Sequence, residues 1–92
     1  MAEVTVRIPA ALQDFTGGAR ECAVTAASVA DVVARLGERH PQLASRLLTP
    51  DGTLRPFVNV FVGADNVRDL QGLDTRIPEG TPVTILPAVA GG

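Results

Sequence analysis

The sequence predicts an α+β fold: a mixed sheet of four to five strands with one main helix packed across it. Three observations carry that expectation. Val4, Val6 and Ile8 alternate with Glu3, Thr5 and Arg7 near the start of the chain, the period of two that marks a half-buried strand. Val29, Val32, Val33 and Leu36 recur at i, i+3, i+4 and i+7, which gives one apolar face to a helix. Phe57-Val58-Asn59-Val60-Phe61-Val62 is the strongest strand signal in the chain, with the three valines on one side. Two strands before a helix and the rest after it suggest a single sheet with the helix across one face. A parallel pairing of the first and last strands would put both in the sheet centre.

The elements follow in order. Pro9 lacks a donor N–H and ends the first strand. Residues 10–16 are mixed, with Leu12 and Phe15 as expected core anchors. Gly17-Gly18 supplies the positive φ angles of a reversal. Residues 20–25 then read as a second strand, antiparallel to the first, with Cys22 and Val24 on one side and Ala23 and Thr25 on the other. Ser28 is a good helix N-cap, and Asp31 three residues on is a weak form of the capping box. Pro41 disfavours helical geometry at His40 and stops the helix. Leu43, Leu47 and Leu48 suit a short second helical piece, and Pro50-Asp51-Gly52 is a turn. After the valine-rich strand, Gly63-Ala64-Asp65-Asn66 reads as a turn and Val67-Arg68 as a brief strand. Residues 69–78 read as irregular, with Leu70, Leu73 and Ile77 available to pack. Residues 82–87 form the last strand, Val83 and Ile85 facing opposite to Thr84 and Leu86. The expected division is therefore a domain over 1–87 and a flexible Gly-Gly tail over 88–92.

Size and composition narrow the function. The 92 residues allow one small domain and little room for a deep enclosed pocket. The net charge is −2, and all eight basic residues are arginine; a nucleic-acid interface would need a basic stripe, so none is expected. One cysteine and one histidine exclude an internal disulfide framework and argue against a zinc site. The apolar stretches fall well short of the ~20 residues of a membrane span, and the acidic start Met1-Ala2-Glu3 is unlike a signal peptide. No membrane partner and a cytoplasmic location are expected.

Familiar catalytic patterns are missing. The sequence has no phosphate-binding Gly-x-x-x-x-Gly-Lys run. Cys22 lies in a strand and reads as a small buried hydrophobe rather than a thioester nucleophile or persulfide carrier. His40 reads as a helix-end residue. Asp65, Asp69 and Asp74 read as solvated loop acids. The chain's last two residues are different. Gly91-Gly92 would arise by chance in about 0.5% of chains. Without side chains they can thread a narrow channel and bring a terminal carboxylate to another enzyme's ATP. Joined to AMP, that carboxylate becomes a mixed anhydride open to sulfide, thiol or amine. The alternative is a terminus with no role.

The ending Val83-Thr84-Ile85-Leu86-Pro87-Ala88-Val89-Ala90-Gly91-Gly92 resembles that of the MoaD/ThiS sulfur-carrier family, most of all its CysO-type carriers of actinobacterial cysteine biosynthesis. Phe57–Val62, Asp65-Asn66-Val67-Arg68 and Thr16-Gly17-Gly18 are similar to that subgroup as well. The resemblance implies a ubiquitin-like β-grasp fold. It implies that the protein is not an enzyme but a cosubstrate whose Gly92, with Gly91 as its neighbour, is converted to a thiocarboxylate. It implies no bound cofactor, with ATP and Mg²⁺ used by an E1-like activating enzyme of the MoeB/ThiF type. A sulfur-accepting synthase is implied as the second partner: a pyridoxal-phosphate (PLP) cysteine synthase, a thiazole synthase or a thiosugar synthase. A metallopeptidase that trims the tail or an adduct is the third.

Three other functions remain open at this point. The chain could be the small subunit of a molybdopterin synthase, a protein modifier joined to lysines, or a plain interaction domain. The absence of lysine leaves activated Gly92 no side-chain amine on its own chain, although a genome that prefers arginine codons is the better explanation of the composition. Alternation puts Val58, Val60 and Val62 under the helix and sends Phe57, Asn59 and Phe61 to the other side. Together with Leu86, Val89 and Ala90 these are the expected docking residues, because one helix cannot cover both sheet faces and exposed apolar groups mark binding patches.

Overall fold

The computed structural model describes residues 2–87. Five strands, β1 (Ala2–Arg7), β2 (Glu21–Ala26), β3 (Val58–Val62), β4 (Asp65–Asn66) and β5 (Val83–Pro87), form one sheet in the order β2-β1-β5-β3-β4. β1 and β5 run parallel in its centre, with Val6 opposite Val83. The other pairs are antiparallel. Helix α1 (Val29–Arg39) and the short α2 (Pro41–Leu47) follow β2.

Alternation decides which side is covered. Val4, Val6, Cys22, Val24, Val58, Val60, Val62, Val83 and Ile85 are buried, and they meet Val29, Val32 and Leu36 of α1 and Leu43 and Leu47 of α2 in one core. Burying side chains of this size contributes about 1.5–3 kcal/mol each. Helix α1 starts where expected: the Ser28 hydroxyl accepts from the Asp31 N–H at 3.3 Å, and the Asp31 carboxylate accepts from the Ala27 N–H at 3.0 Å. It ends at Arg39, before Pro41, and Pro41 then opens α2, a position where its missing N–H does no harm. Arg39 reaches back to the Ala23 carbonyl at 3.0 Å, occupying an acceptor on the edge strand β2.

Several boundaries differ from expectation. Residues 10–16 form a 3₁₀ turn, in which Leu12 and Phe15 pack on the rim of the core while Thr16 is the residue buried. The Thr16 hydroxyl lies 2.9 Å from the Ala19 carbonyl and 3.1 Å from that of Gln13. Gly17 follows with φ +68°. The short strand β4 comes two residues earlier than the sequence suggested. Gly63 has φ +62° and Val62 pairs with Asp65, so the reversal takes only Gly63-Ala64, with glycine first as a type II′ hairpin requires. Asn66 then caps a 3₁₀ turn over Val67–Asp69, which removes Val67-Arg68 from the sheet. A second 3₁₀ turn covers Gly72–Asp74. Ile77 is buried as expected, but Leu70 is 50% exposed.

Candidate functional site: the open sheet face and the root of the tail

The side of the sheet away from the helices carries Thr5, Arg7, Ala23, Asn59, Phe61, Thr84 and Leu86. On it Leu86 lies opposite Asn59, and Thr84 opposite Phe61, so Phe61 and Leu86 are diagonal neighbours, within reach of large side chains. Leu86 is 45% exposed and Phe61 is partly exposed. The expected sidedness of β3 and β5 is thus what the structure has.

Asn59 lies on the expected face but is tied into a polar network, and Phe57 lies outside the strand. The Asn59 amide oxygen accepts from Asn66 Nδ2 at 3.3 Å and lies 3.4 Å from Arg68 Nε. Arg68 also donates through Nη2 to the carbonyls of Arg55 and Val58, each at 2.7 Å. Charge-assisted bonds of this length are strong ones. Asn59 is therefore engaged in a polar network that holds the approach to β3. Phe57 precedes the strand. It sits in a turn that Val58 N–H closes on the Arg55 carbonyl at 3.0 Å, so strand alternation does not place it. It lines a cleft with Leu12, Arg46, Arg55, Val58 and Pro87, at the point where the last described residue pairs with Val58.

The sequence pointed to the open face but missed this cleft and its two arginines. The Arg46 guanidinium stacks over the Phe15 ring, 4.7 Å from its centroid. Arg55 Nε donates to the Ser45 carbonyl at 3.0 Å. No spacing rule links residues so far apart in the chain. Arg68 stands out in the sequence only as part of Asp65-Asn66-Val67-Arg68, a segment similar to a known subgroup, and is given no task of its own there.

Other candidates fall into structural roles. Cys22 is buried on the core side of β2, and burial raises its thiol pKa although Arg39 acts the other way. That keeps it protonated and a poor nucleophile. Among the described residues no group of three or more histidine, cysteine, aspartate or glutamate side chains is placed to hold a metal, and no helix is long and apolar enough to cross a membrane. Gly91, Gly92, Val89 and Ala90 lie outside the described residues.

The chain also matches known proteins over nearly its whole length. Residues 6–92 fit the profile of the ThiS family. The chain belongs to that family. This ThiS-family chain is 41% identical to the sulfur carrier protein CysO of Mycobacterium tuberculosis over 91 residues, 97% of this chain and 98% of the relative. It superimposes on a chain of the Amycolatopsis orientalis BexX/CysO complex with a TM-score of 0.89 at 38% identity, covering 97% and 99% of the two chains. Small archaeal modifier protein 3 of Haloferax volcanii is 39% identical over 66 residues, 72% of this chain and 71% of that one. The sheet with α1 across it is accordingly the ubiquitin-like β-grasp of the CysO proteins.

Proposed function

We propose that this protein is a sulfur carrier of the CysO type, a cosubstrate whose chemistry takes place at the Gly92 carboxylate. The observation that carries the reading is the ThiS-family match itself, which runs through to residue 92 and so includes Gly91-Gly92. The domain is the handle and residues 88–92 the working tail. In the first step the carboxylate attacks the α-phosphate of ATP on an E1-like enzyme using Mg²⁺, giving the acyl-adenylate and releasing pyrophosphate. Sulfide then attacks the acyl carbon, AMP leaves, and a thiocarboxylate remains. On an acceptor synthase of the cysteine, thiazole or thiosugar kind, the thiocarboxylate sulfur attacks an electrophilic carbon. Water later cleaves the acyl–sulfur bond, returning the carboxylate and leaving sulfur on the acceptor. A buried, protonated Cys22 takes no part. The protein needs no cofactor of its own for these steps.

The decisive experiment is intact mass after incubation with the activating enzyme, ATP, Mg²⁺ and sulfide. The expected product has one oxygen replaced by sulfur. Deleting Gly92 is expected to leave the melting curve unchanged and abolish the product; normal loading of the truncated protein would end the carrier reading. Residues appended after Gly92 are expected to block loading until a peptidase removes them.

The likeness to an archaeal modifier protein supports a second reading, in which a lysine amine of a target takes the acyl group and AMP leaves. Mapping of Gly92–lysine adducts in cell extract separates the two.

A further inference from the structure

We propose that the cleft beside Pro87 is a docking site for an acidic segment of the adenylating enzyme. This rests on the carrier reading of Gly92. The cleft occupies about 690 Å³, within the range of sites that take a drug-sized ligand, room enough for a few side chains of a partner. Its walls combine Leu12, Phe57 and Pro87 with Arg46 and Arg55. Phe57 is 61% exposed, the largest exposure among the chain's big apolar side chains described.

Two features point to a carboxylate-bearing occupant. First, both guanidinium groups are engaged by the protein's own atoms, and neither has a carboxylate partner among the described residues. Arg46 is stacked on Phe15 and Arg55 is tied to the Ser45 carbonyl, while the ion pair found among the described residues is Arg35–Glu38, on α1. The chain carries ten acidic residues and a net charge of −2, yet none of those acids lines this cleft. Arginines fixed in this way lose little side-chain entropy on meeting a carboxylate, and their planar forks match it bidentately.

Second, the position fits. Pro87 lines the cleft, and Gly92 is five residues further on, at most about 17 Å along an extended chain. A protein interface covers about 800 Å² on each side, a patch with a radius of roughly 16 Å. An enzyme that holds Gly92 beside ATP therefore has the rim of this cleft at the border of its footprint, and nearer its centre where the tail is less than fully extended. Adenylation comes first and acts on the unmodified carboxylate, so the activating enzyme is the partner to which the cleft is assigned.

The test uses the E1-like enzyme of the same genome that exchanges pyrophosphate into ATP with the wild-type protein. Two double variants are compared, R46Q with R55Q and R46E with R55E, each checked by its melting curve. The glutamine pair retains hydrogen-bonding capacity and guards against loss of fold in the charge-reversed pair. The expected result is a KM for the carrier raised at least tenfold by the glutamine pair and further by the glutamate pair, with kcat little changed. The wild-type KM is expected to rise with salt, and the glutamine pair to lose most of that rise. Folded variants with wild-type KM and salt dependence would overturn the docking site and leave the carrier reading intact. Variants that load normally but deliver sulfur slowly would overturn it too, by assigning the cleft to the acceptor. A wild-type protein that is never loaded would overturn both.

Discussion

Ile85 and Leu86 are neighbours on the same strand and face different worlds. Ile85 is 2% exposed beneath the helices, and Leu86 is 45% exposed on the uncovered face. The same contrast runs through β3, where Val58, Val60 and Val62 are buried and Asn59 and Phe61 are not. The covered face is filled with β-branched side chains whose removal leaves cavities. The open face carries a partly exposed aromatic, Phe61, and a half-exposed leucine, Leu86. On the carrier reading, this division would let a partner grip the open face without loosening the core.

The largest expected effect breaks the comparison at that pair. Ile85→Ala should lose about 2–5 kcal/mol, as buried isoleucines do, while Leu86→Ala should lose under about 1 kcal/mol. Phe61→Ala and Leu86→Ala should instead weaken binding to the activating enzyme at least tenfold, since exposed apolar anchors often contribute ~2 kcal/mol or more to an interface. Chemical denaturation and calorimetric affinity measure the two quantities on the same samples. If both open-face variants bind normally, the patch is misplaced; if both unfold, the two faces do not divide the work.

Why the faces were legible in the sequence, and the cleft was not, has a physical basis. Alternation is a local property, so Val58, Val60, Val62, Val83 and Ile85 declare their side within one strand. The helix likewise declares its start through Ser28 and its end through Pro41. Phe57 shares the alternation in sequence, but a turn closed between Arg55 and Val58 frees it from the pleat. Asn59 looks like any polar outward residue until the hairpin after β3 folds Asn66 and Arg68, seven and nine residues on, against it. The position of β4 depends on whether the reversal takes two residues or four, and Gly63 with its positive φ makes it two. Leu70 is apolar but follows a 3₁₀ turn that leaves it outward.

Arg68 sharpens the comparison from the polar side. Its Nη2 group holds the carbonyls of Arg55 and Val58, each at 2.7 Å, and Val58 is the residue paired with Pro87. Arg68→Ala should lose about 1–3 kcal/mol, the range for hydrogen bonds to charged groups. Arg68→Lys should recover only part, because one ammonium cannot reproduce the guanidinium fork. Equal stability of all three proteins in urea would show that the network contributes nothing.

Cys22 tests the covered face with a smaller change. Cys22→Ala removes one buried sulfur, and a cost of about 1–2 kcal/mol is expected by the cavity rule. Sulfur loading and delivery should continue near the wild-type rate. A variant that folds fully but cannot be loaded would place this thiol on the path of the sulfur.

The smallest expected effect concerns how the covering helix is fastened. The Asp31 carboxylate has its pKa lowered, chiefly by accepting from the Ala27 N–H, with smaller help from Ser28 and Arg35 and partial opposition from desolvation. A carboxylate whose pKa is lower folded than unfolded adds stability above the unfolded value, near pH 4, and that contribution disappears as pH falls through the folded value. Asp31→Asn keeps an oxygen to accept from Ala27 but carries no charge at any pH. The variant should therefore melt slightly below the wild type at pH 7. The gap between their melting temperatures should close as the pH is taken from about 4 towards 2. The rest of the chain is common to both proteins and cancels in the difference. A gap that stays constant down to pH 2 would mean that the charge on Asp31 contributes nothing, and that the cap works through geometry alone.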